Sequence, residues 1–318
     1  MWAKMRNALQ LVWRQNVPSK TALWPTMSAA QQTKLSWAKP IKSYAAVPPV
    51  YAAFFEPFLA EKRAFPYAVL TPTYEGFMHR ATEKLICDFG REIVILEKSG
   101  NTFEALCYPL ERISYVEVRT VLLDSSIKIS GVTGEGIPAS STCRFNSVTD
   151  HLFGPILNRI RFAAVDSKEA AQSSELEKFD HWARLSFKFM NYAKRSLLAG
   201  EKVIHAILQT EIRANVVTVL GKTYTRLISP THITVLTDRE LIMVREEIRL
   251  GGKDKYGGIW DFIPLNKIVA LSSSARDNNL LVLSIQLPEK VCLEFLFQAS
   301  AKREIDELLD RFRELTTG

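Results

Sequence analysis

No stretch of about 18 uncharged apolar residues, the minimum for a membrane-crossing helix, occurs in this chain, so no segment is expected to span a bilayer as a helix. The first apolar run, Ala8 to Trp13, is interrupted by Gln10 and stopped by Arg14, shorter than a secretory signal core. Cysteine is scarce. Cys87, Cys107, Cys143 and Cys292 lack the close pairs of a zinc site and the density of a disulfide scaffold, and read as small buried hydrophobes in a reducing compartment. His79, His151, His181, His205 and His232 are scattered, with no metal-ligand spacing, and read as surface or satisfied core residues.

Catalytic motifs are missing too. The tetrad Leu220-Gly221-Lys222-Thr223 resembles the tail of a phosphate-binding loop, but Val216 stands where that motif needs glycine. The glycine-rich stretches 131–136 and 251–258 lack dinucleotide-binding spacing and read as hairpin loops. No G-x-S-x-G elbow presents a serine nucleophile, and no two carboxylates stand apart as an acid and base pair. These absences point to a protein that is not an enzyme, with no cofactor and no metal.

Acidic residues are absent from residues 1–55, which carry Lys4, Arg6, Arg14, Lys20, Lys34, Lys39 and Lys42. Of the 41 basic residues these are seven, which leaves 34 to face the 34 acids, so the whole net charge of +7 belongs to this leader. Four of the six tryptophans, Trp2, Trp13, Trp24 and Trp37, lie there as well.

What the chain does contain is a repetition. The length of 318 residues suggests two domains of ordinary size. "REIVILE" at 91–97 and "RELIMVRE" at 239–246 are near copies, and three further blocks keep the same order. "FLAEKRAFPYAVL" (58–70) matches "LLAGEKVIHAIL" (197–208); "YPLERISYVEV" (108–118) matches "IPLNKIVALSS" (263–273); "SVTDHLFGPILNRIRF" (147–162) matches "SAKREIDELLDRFREL" (300–315). Chance similarity rarely stays collinear over four blocks.

Periodicity gives each unit a coarse structure. "ICDFGREIVILEK" and "ITVLTDRELIMVREE" read as hairpins, and "LLVLSIQLPEKVCLEFLFQ" reads as two strands around Pro288-Glu289. The Pro-Leu-x-x-Ile blocks read as strands. Behind Ser300, a candidate N-cap, Ile305, Leu308, Leu309, Phe312 and Leu315 recur at helical spacing. The matching helix in the first unit is expected to kink or restart near Gly154-Pro155. Between the units, a capping box at Ser174 and Glu177 opens a linker helix whose stripe runs through Leu176, Phe179, Ala183, Met190, Ala193 and Leu197, with Trp182, Phe187 and Phe189 nearby, apolar enough to pack on one or both domains.

The expected fold is therefore α+β, mainly β: two half-barrels, each closed by a C-terminal amphipathic helix and joined by a linker helix. The expected divisions are a basic, Trp-rich and partly disordered leader at 1–55, a first domain at 56–163, a linker helix at 166–199 and a second domain at 200–318. The run "CYPLERISYVEVRTVLLDSSIKISGV" (107–132), with the hairpins and closing helices, resembles the bacterial pleckstrin-homology-like domain, related in shape to the GRAM domain, as found in proteins of anaerobic Gram-positive bacteria. The resemblance covers about 58–162 and 197–316, and its strand patterns imply a fold better than a function.

That resemblance implies a binding or scaffolding module. One reading places it in the cytoplasm, peripheral to an anionic lipid surface on the inner face of the cell membrane. In a short helix Trp2, Met5, Leu9, Val12 and Trp13 would share one side, flanked by Lys4, Arg6 and Arg14, and Trp24 and Trp37 complete the membrane-surface candidates. Lys222, Arg226, Lys253 and Lys255 are the ligand-loop candidates. The alternative is a protein or peptide partner, with the leader as a structural strap. Weak nucleic-acid binding by the basic leader comes third, and an acid-free basic leader also matches an organelle transit peptide.

Overall fold

A computed structural model describes residues 37–75, 80–163, 173–219, 222–247, 257–276 and 279–317. In chain order the first half holds β1 (Lys39–Ile41), α1 (Ala52–Ala60), β2 (Tyr67–Thr71), β3 (Tyr74–Glu75), β4 (Arg80–Ala81), β5 (Lys84–Asp88), β6 (Glu92–Ser99), β7 (Thr102–Pro109), β8 (Ile113–Val121), β9 (Asp124–Val132), β10 (Pro138–Asn146) and α2 (Gly154–Ala163). The second half holds α3 (Ser173–Glu177), α4 (Ala183–Ser196), β11 (Val203–Gln209), β12 (Ile212–Val219), β13 (Lys222–Ser229), β14 (His232–Thr237), β15 (Glu240–Arg245), β16 (Gly258–Pro264), β17 (Ala270–Arg276), β18 (Leu280–Gln286), β19 (Cys292–Gln298) and α5 (Lys302–Thr317). The chain is α+β, mainly β, with antiparallel sheets and none of them closed into a barrel.

The two halves repeat each other element by element. The antiparallel order β2-β5-β6-β7 recurs as β11-β14-β15-β16, and the meander β8-β9-β10 recurs as β17-β18-β19. A small hairpin, β3–β4 or β12–β13, follows the first strand, and one helix, α2 or α5, closes each half.

The twin sequences encode a strand that is buried on both faces. Ile93 and Ile95 of β6 point into the interior core with Val69 and Ile86, while Val94 and Leu96 point outward under Tyr51, Phe54 and Phe55. In β15, Leu241 and Met243 join the inner core, and Ile242 and Val244 lie beneath Phe189, Met190 and Ala193 of α4. A strand covered twice carries a continuous apolar run rather than alternation. Both expected hairpins form. In the first, Gly90 takes φ +86 and its N–H donates to Asp88 Oδ1 at 2.7 Å; in the second, Thr237 Oγ1 accepts from Arg239 N and Glu240 N at 3.2 and 2.9 Å.

The Pro-Leu-x-x-Ile blocks are corners, not strands. Pro109 and Pro264 end β7 and β16 with φ of −55 and −58, and Leu110–Arg112 and Leu265–Lys267 form 3-10 turns that pass the chain to the next sheet. Proline suits this place because its ring holds the required φ where the ladder ends.

Several other expectations need correction. The leader does not end at residue 55: β1 pairs with β2 along Lys39↔Leu70 to Ile41↔Ala68, and Tyr51, Phe54 and Phe55 are core residues. Residues 37–60 therefore cover the first sheet as α4 covers the second. The linker is not one helix. α3, a 3-10 turn at Asp180–Trp182 and α4 follow in series, and Ser186 breaks helical geometry at φ −160. Ser174 lies inside α3 rather than at its N-cap, and Ala183 and Phe187 are exposed, whereas Phe179, Trp182, Phe189, Met190 and Ala193 are buried. Ser300 sits in a 3-10 turn ahead of α5, so it does not cap that helix. Cys292 is exposed, although Cys87 and Cys143 are buried.

The halves are not separate bodies on a tether. β8 pairs with β16 from Gly258↔Thr120 to Phe262↔Val116, which fuses them into one sheet of order β10-β9-β8-β16-β15-β14-β11. α2 restarts at Gly154 after a 3-10 segment, as expected, and buries Ile156 and Ile160; α5 buries Ile305, Leu308, Leu309 and Phe312, while Leu315 is 36% exposed. Leu309→Ala should accordingly cost about 2–5 kcal/mol in urea unfolding, and Leu315→Ala less than about 0.5 kcal/mol. Equal costs would contradict the assigned face of α5.

Candidate functional site

Charged side chains concentrate at the seam between the halves, on both faces of the shared sheet. On the face toward α2 and α4, Arg161 of α2 is buried and reaches Glu240 at the start of β15, donating from Nε to Oε1 at 3.0 Å and pairing closely through Nη2. Nη2 also donates to the Ser196 carbonyl at 2.7 Å and lies 3.7 Å from Glu201 Oε2. The guanidinium stacks over Phe262 at 3.8 Å. Arginine suits this position because its planar fork serves several acceptors while its face lies on an aromatic ring.

Glu201 is wholly buried. Its Oε2 accepts from Leu198 N at 2.6 Å and its Oε1 accepts from Thr237 Oγ1 at 2.8 Å. One guanidinium faces two carboxyl groups here. Burial, and then the neighbouring Glu240, raise the Glu201 pKa to about 8 against the opposing pull of Arg161.

On the opposite face Glu117 of β8 stands directly across from Asp261 of β16, and Arg245 of β15 bonds to both, reaching Glu117 Oε2 at 3.0 Å. Burial pushes the Asp261 pKa up, with Glu117 adding to the rise and Arg245 opposing it. Nearby, Arg119 donates to Glu247 Oε1 at 2.9 Å and to Asp124 Oδ2 at 2.8 Å, and Arg144 joins Asp124 at 2.8 Å. Burial would raise the Asp124 pKa, but these two guanidinium groups hold it below the usual range. Glu117–Arg245, Arg119–Glu247 and Arg161–Glu240 all join one half to the other. What these contacts show is charge pairing across the seam.

Beside the seam is an open cleft of about 280 Å³ lined by Val118, Ile127, Phe145, Phe153, Gly154 and Leu157, with Thr120, Asp150 and His151 as its polar lining. Near it the β8–β9 turn exposes Leu122 and Leu123, and the Leu123 carbonyl accepts from Ser147 N, next to exposed Val148. Leu122 takes φ +55, a strained conformation for a leucine, in a turn where asparagine or glycine is usual.

The sequence candidates fall elsewhere. Trp2, Lys4, Arg6, Trp13, Arg14 and Trp24 lie outside the described residues, as do Lys253 and Lys255. Trp37 is half-buried with its indole nitrogen enclosed, next to Ala38, whose N–H donates to Thr149 Oγ1 at 3.3 Å; it belongs to the packed strap rather than to a free surface. Lys222 opens β13 opposite Val219, so the Gly-Lys-Thr stretch continues into a strand and not into the helix a phosphate loop needs. Arg226 is exposed on the same strand. Residues 133–136 make the hairpin turn expected for the first glycine-rich stretch, with Gly136 at φ +81.

Among the described histidines, His232 is the deeply buried one. Burial lowers its pKa to about 4, and its ring packs against Phe297 at 4.7 Å. Among the described residues no group of three His, Cys, Asp or Glu could hold a metal ion. The seam charges escaped sequence reasoning, although a signal existed: Arg161 interrupts the apolar stripe of α2 between Ile160 and Phe162, and Asp261 interrupts the apolar run of β16. No family model matches this chain, and no match to a curated protein was found.

Two outcomes test the seam. Arg161→Met leaves two buried carboxyl groups without their cation, and should destabilise the protein by about 3–5 kcal/mol in urea unfolding. The second concerns pH. A carboxyl whose pKa is raised on folding contributes most below its ordinary pKa of about 4.3, and that contribution is lost as pH rises toward 8. Thermal melts of Glu201→Gln should therefore vary less between about pH 5 and pH 8 than those of the native chain; identical pH profiles would contradict the raised Glu201 pKa.

Proposed function

We propose that the chain is a non-catalytic scaffold of two pleckstrin-homology-like units, held at an anionic membrane surface by its leader. The repeated order of four strands, a three-stranded meander and a closing helix supports the family reading. The observation that carries the membrane reading is the concentration of net charge and tryptophan in one stretch of the sequence. Lys4, Arg6, Arg14, Lys20 and Lys34, with Trp2, Trp13 and Trp24 and no acid among them, all precede β1 in the sequence.

Each basic residue near an anionic surface contributes roughly 1 kcal/mol, and tryptophan favours the headgroup layer, so five such charges and three indoles suffice for reversible attachment. The strap at residues 37–60 would hold the base of this leader against the first sheet. Among the described residues no helix is long and apolar enough to cross a membrane.

A second reading, docking of a peptide, is favoured by the exposed Leu122-Leu123 tip and Val148 beside the cleft. The two readings separate in one experiment. The full chain and a chain beginning at Trp37 are sedimented with phosphatidylserine-containing and with neutral vesicles, at low and high salt. The leader reading predicts binding of the full chain to anionic vesicles, weakened by salt as exposed charges are screened, and no binding of the shortened chain, whose thermal transition stays unchanged. Removal of residues 1–55 instead would strip β1, Tyr51 and Phe54 from the core and lower stability sharply. Absence of vesicle binding by the full chain would reject the membrane reading in favour of the peptide one.

A further inference from the structure

The seam between the halves uses one edge from each, and among the described residues the equivalent edges at the other ends of the repeat are left over. Because Pro109 and Pro264 occupy the same corner, β7 corresponds to β16 and β8 to β17, residue for residue: Phe103, Ala105 and Cys107 match Gly258, Trp260 and Phe262, while Val116, Val118 and Thr120 match Leu271, Ser273 and Ala275. In the seam β16 pairs with β8. Among the described residues β7 pairs only with β6, and β17 only with β18.

The hydrogen-bond phase shows that these free edges match the used ones. Leu110 N donates to Arg91 O, so alternation along the antiparallel ladder directs the amides of Phe103, Ala105 and Cys107 away from β6. Leu265 N donates to Arg239 O in the same way, which directs those of Gly258, Trp260 and Phe262 toward β8. On the other side, Leu287 N donates to Val291 O and Ala299 N to Asn279 O. These bonds set the phase of β18–β19, leave Ser284 and Val282 to bond with Ser272 and Ser274, and turn Leu271, Ser273 and Ala275 outward.

We propose that β7 of one copy of this chain pairs antiparallel with β17 of a second copy, repeating between molecules the β8–β16 seam within the molecule. The register carried over from the seam sets Phe103 opposite Ala275 and Ala105 opposite Ser273. Gly134 N already donates to Cys107 O at 2.9 Å, so the intermolecular ladder stops short of Cys107. The side chains permit close approach. Ala105 is exposed, and β17 reads Ala-Leu-Ser-Ser-Ser-Ala-Arg, with no proline and no charge before Arg276, lacking the usual guards of an isolated edge strand. Where the seam sets Asp261 against Glu117 and bridges them with Arg245, the equivalent positions hold Leu106 and Ser272, so the intermolecular contact is shorter and less charged than the seam.

The two edges differ, so the contact is head-to-tail and propagates into chains or closes into rings. Sedimentation velocity of the full chain over a range of concentrations should show a reversible ladder of oligomers. Ala105→Pro and Ser273→Pro each remove one outward N–H without touching a ladder bond inside the molecule. Each variant alone should be monomeric with an unchanged thermal melt, and a mixture of the two should form a one-to-one dimer and nothing larger, because each variant retains the edge the other lacks. Hydrogen exchange on the unaltered chain gives a second measurement that does not depend on how the variants fold: the amides of Ala105 and Ser273 should slow as concentration rises. A full chain that stays monomeric at every concentration, a Ser273→Pro variant that still assembles, a mixture of folded variants that stays monomeric, or exchange at these amides that ignores concentration would overturn the proposal.

Discussion

The antiparallel ladder between β8 and β16 is the constraint on which the remaining architecture depends. A sheet edge exposes unpaired backbone groups, and these must find partners or remain a liability. Each half presents one such edge at the last strand of its first sheet and another at the first strand of its meander. Pairing one from each half fuses two repeated units into a single seven-stranded sheet, and the positions of α2, α4 and the seam charges follow from that fusion.

Once the sheet is shared, its two faces meet different neighbours. Phe262, Val244 and Ile242 face α4, and Met243 and Leu241 face the core closed by α5. The charged residues sit where these coverings meet at the seam. Arg161 lies across it from Glu240, with Glu201 beside them, and Arg245 links Glu117 of one half to Asp261 of the other. Buried charges of this kind contribute little net stability over an apolar replacement, yet they penalise any arrangement that separates the partners. In this relative placement of the two units Arg161 meets Glu240 and Arg245 meets both Glu117 and Asp261.

Much of the local structure was legible in the sequence. The runs Ile93–Leu96 and Leu241–Val244 betrayed the repeat because strands covered on both faces must be apolar throughout, and Pro288-Glu289 marked a turn that forms where expected. Failure came where tertiary contacts decide. Residues 37–55 looked like part of a loose leader because Pro40, Pro48 and Pro49 break its periodicity, but those prolines sit beside or within short packed elements, and Tyr51 and Phe54 do the burying. The linker's single periodic stripe concealed a break at Ser186. Nothing local distinguishes β8, which finds a partner across the seam, from β17, which among the described residues pairs only with β18. Of the site candidates, Trp37 proved to belong to the packing, and the seam charges that the structure brings together were visible only as interruptions of apolar runs.

Native-state hydrogen exchange of the full chain examines the fusion most directly, since it reports the opening free energy of each strand separately. If the shared sheet is the backbone of one cooperative body, the amides of Val118 in β8 and Trp260 in β16 should exchange only on global unfolding, with the same free energy as those of Val94 in β6 and Ile242 in β15. Exchange at Val118 and Trp260 through a low-energy opening that leaves Val94 and Ile242 protected would mean that the halves part as separate units, contradicting a fold built on the seam.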